Sequence, residues 1–383
     1  MSGSLVQWAC AAAVASVLVA PGPVAATPTP SPDPLPAPNR TSVATLLTDL
    51  QRLYREAEKA TETYNATAEK LKKRRKSAGD LARRLATART SLHDSRGAAG
   101  RLAREQYQGS SNISPYLRLL LARDPQHALD QGHVIRRVAQ ERMATVDRLV
   151  GGEKRADYLA AQARKALDEQ TRLSQRQKKD RDAVRARLKA VEKLLASLGP
   201  DQLAALTRLE DVGMAKAQKT FMASGALSSR RAPSRAGDTA LAYAVKQIGK
   251  PYVWGAEGPS AFDCSGLTSQ AWEHAGQDIP RTSQEQWAKL PRVPLDELRP
   301  GDLVVYFPEA THVAMYLGDG MVVQAPRPGA RVKVSPIAAN PLLGAVRPDR
   351  GEASMKGYTP PKLPGGATGG DDTGYGAAGA PTG

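Results

Sequence analysis

The first long segment of the chain repeats its apolar positions in steps of four and three. From Leu46 the series runs through Leu50, Leu53, Ala57, Ala60, Tyr64, Thr67, Leu71, Arg74, Ala78, Leu81, Leu85, Ala88 and Leu92, with Arg74 its one charged member. A seam recurring every 3.5 residues wants a partner helix. With no proline inside it, the segment predicts a coiled-coil helix about 70–80 Å long at 1.5 Å per residue. The register breaks around Gly97–Gly100, and Gly109-Ser110-Ser111-Asn112 reads as a loop. Ile113–Leu121 is a compact apolar patch, after which Asp124-Pro125 can cap another short helix. A second long helix is expected from about Ala156 to Leu198, carried by Leu159, Ala163, Ala166, Leu173, Val184, Leu188, Val191 and Leu195, with a polar middle at Ser174–Asp182. Two long helices around a smaller helical insert (Tyr107–Ala139) predict an antiparallel hairpin with a distal knob, because the insert gives the chain a place to turn. A parallel dimer is the competing arrangement.

After residue 235 the pattern becomes that of a compact mixed domain. Thr239–Ile248 reads as a short helix ending near Gly249, and Pro251–Ala256 as an extended, aromatic-lined approach. A helix starting at Cys264 should end at Gly276. Leu303–Phe307, His312–Leu317 and Met321–Gln324 read as strands, the last two joined by the turn Gly318-Asp319-Gly320.

Composition sets the boundaries. Leu5–Ala20 is an apolar run too short to span a bilayer comfortably, and Val24-Ala25-Ala26 fits a small-residue cleavage site, so residues 1–26 read as a signal peptide. No Lys or Arg precedes the run, which is atypical. Residues 27–40 alternate proline with small polar residues and form a stiff spacer. The division that follows is a coiled-coil domain over 41–215, a linker over 216–235, a catalytic domain over 236–350 and a disordered Gly/Pro-rich tail over 351–383.

Essentially all of the net charge of +16 falls within residues 41–230, leaving the rest near neutral. The Lys72–Lys76 run with Lys178-Lys179 invites a nucleic-acid reading, which export and the lack of stacking aromatics argue against. It reads as a solvated coil face, with attraction to anionic wall polymers or lipid headgroups as the functional alternative. Cleavage after Ala26 removes Cys10, so an exported chain keeps one cysteine, Cys264, which no disulfide can occupy.

Cys264 falls in the first turn of its helix, where free N–H groups and the helix dipole favour thiolate and make sulfur a nucleophile. A base must come from the two histidines of this domain. His274 lies ten residues along the same helix, about 15 Å away, which leaves His312 at the head of a strand. A third group should orient the imidazole through its other nitrogen. Gln324 is the choice, since it ends the strand pairing with that of His312; a surface glutamine is the other reading. No cluster has zinc-ligand spacing, and no cofactor is expected.

The ordered set Gly249-Lys250-Pro251-Tyr252, Trp254-Gly255, Asp263-Cys264-Ser265-Gly266-Leu267, Pro280-Arg281-Thr282-Ser283, Pro300-Gly301-Asp302-Leu303, His312–Gly318 and Gln324-Ala325-Pro326 resembles the NlpC-type cell-wall peptidases, over roughly residues 236–348. The resemblance implies an α+β papain-like domain, with helices around the nucleophile packed on a small antiparallel sheet. It implies cleavage of peptidoglycan stem peptides, usually between γ-D-glutamate and the diamino acid. It further implies that Tyr252 lines the site, that Asp263 and Ser265 bind the substrate's free amine and polar groups, and that Arg281 and Ser283 meet a substrate carboxylate. A helix cap for Asp263 and a surface ion pair for Arg281 are the structural alternatives. The family's third catalytic group is often His, so Gln324 is a variant. An amidase or acyltransferase on the same fold, or a catalytically silent wall-binding scaffold, are the other functions. Residues 41–215 resemble the coiled-coil regions of division-associated wall hydrolases, whose insert docks on an FtsX-type membrane protein. That implies a coil that restrains the peptidase, against a passive spacer.

Overall fold

The computed structural model describes residues 42–109, 124–227 and 231–369. The segment read as a signal peptide, the proline spacer, the Ile113–Leu121 patch and the tail from 370 onward lie outside the described residues.

Helix α1 (Val43–Gly109) and helix α2 (Pro125–Ala196) run antiparallel. The pairing is read from contacts whose residue numbers rise on one helix as they fall on the other: Arg187 with Glu56, Thr67 with Asp180, Arg74 with Glu169 and Arg96 with Glu153. The hairpin reading is therefore correct. Leu46, Leu50, Tyr54, Ala57, Leu71, Ala88 and Leu92 of the seam are buried, as are Leu159, Ala166, Val184 and Val191 opposite.

Three boundaries differ from expectation. The helix continues through Gly97–Gly100, because two glycines in a long packed helix cost only about 1 kcal/mol each. Asp124 accepts from the His127 N–H with Pro125 at the first position, but it caps the 72-residue α2 rather than a short helix. The expected linker from 216 is instead the end of helix α3 (Pro200–Ala223), which packs beside the C-terminal domain.

The C-terminal domain sets helices α4 (Arg235–Lys246), α5 (Cys264–His274) and α6 (Ser283–Lys289) around a six-stranded antiparallel sheet. Its strands are β1 (Arg292–Val293), β2 (Leu303–Tyr306), β3 (His312–Gly318), β4 (Met321–Gln324), β5 (Lys333–Pro336) and β6 (Leu342–Val346), in the order β1-β6-β2-β3-β4-β5. The central strands carry unbroken apolar runs because both faces are covered. Leu303, Val305, Val313, Met315 and Val323 meet Leu241, Leu267 and Trp272 on one side. Val304, Tyr306, Ala314 and Val322 meet Ile337 and Phe221 of α3 on the other. Asp319 and Gly320 both have positive φ, the geometry a two-residue hairpin turn requires. Gly266 is needed for a different reason: a Cβ there would stand 2.2 Å from the Ala256 carbonyl oxygen, so α5 can seat against that loop only without a side chain. The proximal tail is ordered by contacts to the domain, with the Val334 N–H donating to the Ala367 carbonyl.

Candidate active site

Asp263 ends the extended approach and caps α5, accepting from the Gly266 N–H at 2.6 Å. The cap fixes where α5 starts and so places Cys264 at its first position, buried against the sheet. β3 pairs with β4 with Met315 opposite Val323, which brings Gln324 to the start of β3. There Gln324 Oε1 lies 2.7 Å from His312 Nε2. An amide oxygen accepts, so Nε2 carries the proton and Nδ1 keeps its lone pair. The ring of Tyr306, opposite His312 in the β2–β3 ladder, lies 5.6 Å from the imidazole. His274 packs on Tyr243 instead, away from the site.

Asp263 is heavily engaged. It accepts from both Arg281 Nη1 and Nη2, at 3.1 and 2.8 Å, and from the Gly255 N–H at 2.9 Å. Arg281 also donates to Ser265 Oγ and, through Nε, to Glu257. The pair is buried, so the arginine's fork is used inside the protein to hold the cap and the loop together. Ser283 Oγ donates to the Ala310 carbonyl, leaving its N–H turned toward the cleft. Tyr252 is buried in the same cluster, and its hydroxyl is held well above its ordinary pKa by burial and then by the nearby Cys264.

What sequence reasoning missed is that α1 enters this cleft. Ser265 Oγ donates to Glu62 Oε1 at 2.7 Å, and the Ser283 N–H donates to Glu62 Oε2 at 3.0 Å. The same Oε1 is 3.8 Å from Cys264 Sγ. One turn earlier, Glu58 Oε1 lies 3.6 Å from His312 Nδ1, and one turn later Asn65 Nδ2 donates to Asp263 at 3.0 Å. Tyr64, placed in the coil seam by the repeat, packs edge-on against Trp254 with ring centres 5.0 Å apart. Glu58, Glu62 and Asn65 fall at helical spacing on one face of α1. Nothing in the local sequence singles that stripe out, and only the fold reveals what it meets.

The electrostatics reverse the expected thiol. Burial raises the Cys264 pKa well above its ordinary value, and Glu62, Asp263 and Glu58 push it further up; a backbone hydrogen bond at Val313 opposes them. Burial likewise lowers His312 to about 4, opposed by Gln324. The helix start that favours thiolate is thus overridden here by lost water and gathered carboxylates, and the pair rests as neutral thiol and neutral imidazole. A cavity of about 820 Å³ continues alongside, between α1, α3 and the β4–β5 side of the sheet, with Glu58, Arg55, Gln324 and Arg327 on its wall.

Residues 249–344 match the NlpC/P60 family. A probable endopeptidase of Corynebacterium glutamicum is 42% identical over 123 residues, covering 32% of this chain and 58% of that protein. The chain thus spans somewhat over half the length of that curated relative. Among solved structures, the NlpC/p60 domain of the peptidoglycan hydrolase SagA is 36% identical, with 29% of this chain and 97% of that chain covered at a TM-score of 0.28. RipD of Mycobacterium tuberculosis, described as a non-catalytic NlpC/p60 domain protein adapted to peptidoglycan binding, is 32% identical, with 30% and 98% covered at a TM-score of 0.28. Behind its helical hairpin, this chain carries a papain-like domain of the NlpC/P60 family, in which Gln324 holds His312 and Cys264 meets the backbone of the next residue, Val313.

Proposed function

We propose that the chain is a secreted peptidoglycan hydrolase that cleaves stem peptides by cysteine catalysis, between γ-D-glutamate and the diamino acid, and that its coiled coil holds it closed. The observation that carries the reading is the seat of Glu62: a carboxylate gripped by the Ser265 hydroxyl and the Ser283 N–H, beside the nucleophile sulfur. A γ-D-glutamyl residue carries a free α-carboxylate at the far end of a short three-carbon chain from its scissile γ-carbonyl, so the same donors suit the substrate and α1 occupies its place. Asp263, which the resemblance gives to the substrate amine, contributes mainly by fixing α5 and Arg281.

In the opened site, His312 Nδ1 takes the Cys264 proton and sulfur attacks the γ-carbonyl, with the Cys264 N–H as an oxyanion donor. The amine leaves with the proton from His312, and water hydrolyses the thioester. Opening requires something to draw α1 away. An FtsX-type membrane protein docking near Tyr107–Ala139 is the proposed partner. Support comes from Tyr107, Leu129, Val134 and Val138, apolar side chains of the described part of that region that stand exposed.

The test is digestion of purified peptidoglycan by the full mature chain, by its Glu62→Arg form and by Cys264→Ala, with products identified by mass. A new diamino-acid amine released by Glu62→Arg well above wild type, and nothing from Cys264→Ala, is the expected result. Freed lactyl-muramyl groups would replace the endopeptidase with an amidase. Equal activity of wild type and Glu62→Arg would remove the restraint.

A further inference from the structure

Two buried acids, one turn apart on α1, meet the two catalytic groups: Glu62 faces Cys264 and Glu58 faces His312. The grip of Glu62 on the cleft rests on neutral donors, a hydroxyl and an N–H. Glu58 has less: its Oε2 is buried with no hydrogen-bond partner among the described residues. We propose that closing α1 over the cleft takes up protons on Glu58 and Glu62, so that the closed state is a proton-linked latch that loosens as pH rises. The inference rests on the closed-coil reading above and adds what controls it.

The surrounding charges decide the sign. From the catalytic domain, Asp263, Cys264 and Tyr252 face the acids with groups that are negative or neutral, and Arg281 is already held by Asp263 and Glu257. Arg55 on α1 and Arg327 after β4 pull Glu58 toward its ionised form, but Arg327 is bound by Glu210 of α3 through two hydrogen bonds. On α2, Arg187 is paired with Glu56 and Asp180 with Thr67. Among the described residues no hydrogen bond or ion pair joins a lysine or arginine to either buried acid, although Arg281 also pulls Glu62 toward its ionised form. Accordingly burial, then Asp263, lifts Glu62 to about 7, and burial, then Glu62, raises Glu58 well above its ordinary range.

An acid whose closed-state pKa is raised is accommodated without penalty while protonated, and opposes closure as pH climbs from its free value. Each acid therefore weakens closure up to about tenfold per pH unit, from roughly 4.5 to its closed-state value. His312 works the other way: lowered to about 4, it favours closure as pH rises from 4 to 6.5. Between about 4.5 and 6.5 it offsets one glutamate, leaving the other to loosen the latch. Above about 6.5 that offset is gone, so whichever glutamates are still protonated in the closed state loosen the latch more steeply. Which atom of the Glu58–His312 pair holds a proton does not alter this, since the linkage counts protons in the cluster.

The test uses the full chain with both native cysteines replaced (Cys10→Ala, Cys264→Ala) and dyes on cysteines at two exposed positions, Lys70→Cys on α1 and Glu309→Cys on the catalytic domain. Energy transfer should be high at pH 5 and fall through pH 8 as α1 leaves. A glutamine mimics a protonated glutamate, so Glu58→Gln with Glu62→Gln should keep transfer high at both pH values, and each single change should flatten part of the response. Transfer that is high at every pH in the parent overturns proton linkage while leaving the closed coil intact. Low transfer at every pH, including in the double variant, overturns both. A pH response unchanged by the double substitution assigns the switch to other groups and overturns the proposal.

Discussion

The Glu62 carboxylate lies 3.8 Å from the sulfur of Cys264, a residue 202 positions further along the chain. The helix that forms one arm of the hairpin is thereby also the cover of the cleft, and residues that nothing in the local sequence singles out become half of a site.

Replacing Glu62 by arginine should open the cleft, because a larger cation cannot sit beside Arg281 with only the Ser283 N–H and Ser265 hydroxyl to receive it. Alkylation of Cys264 by iodoacetamide at pH 7 should then rise by about tenfold or more over the wild-type chain, as the thiol regains water and loses a neighbouring carboxylate. Equal alkylation rates would mean that α1 does not control access.

Gln324 holds His312 by one 2.7 Å hydrogen bond. In the Glu62→Arg background, Gln324→Ala should lower kcat about 10–100-fold with little change in KM, and Gln324→His should recover much of the loss. Steady-state turnover of a soluble stem peptide measures both. A KM effect alone would move Gln324 to substrate binding.

Arg281 is the buried cation that balances Asp263 and ties the approach loop to α5. Arg281→Ala leaves a buried carboxylate without its partner and should destabilise the chain by roughly 3–5 kcal/mol. Arg281→Lys keeps the charge without the fork and should fall between. Thermal unfolding followed by calorimetry is the measure, and an unchanged Tm for Arg281→Ala would show that Asp263 is held by its N–H donors alone.

His312 should titrate near 4 in the closed chain and return toward 6.5 once Glu62→Arg opens it, as read by NMR of the imidazole carbons. The closed form binds fewer protons on this ring, so His312 contributes nothing against closure above 6.5 and opposes it as pH falls through 6.5 toward 4. The full effect corresponds to roughly 3 kcal/mol, partly offset by the glutamates that gain protons over the same range. A His312 that titrates near 6.5 in the wild-type chain would mean that its ring is hydrated.

Much of this protein was determined by its sequence alone. The 3–4 repeat from Leu46 to Leu92 made α1 a helix needing a partner, since an apolar stripe of that length cannot stay in water. Asp263 before Cys264 set a helix start at the nucleophile, because a carboxylate accepts the N–H groups that a helix leaves free. Elimination pointed to His312 as the candidate base, and strand pairing put Gln324 beside it, where the 2.7 Å contact stands. The tertiary structure decided the rest. A repeat says that a face is buried but not against what, so Tyr64 was assigned to the seam when it meets Trp254. Glu58, Glu62 and Asn65 carry no local signal, since exposed acids at helical spacing are what any soluble coil shows. Their meaning lies in contacts between segments some 200 residues apart, which no local propensity encodes. The state of the thiol follows the same logic: the helix start is local and favours thiolate, while burial under α1 is not local and prevails, because removing water from a charge costs more than a helix dipole returns.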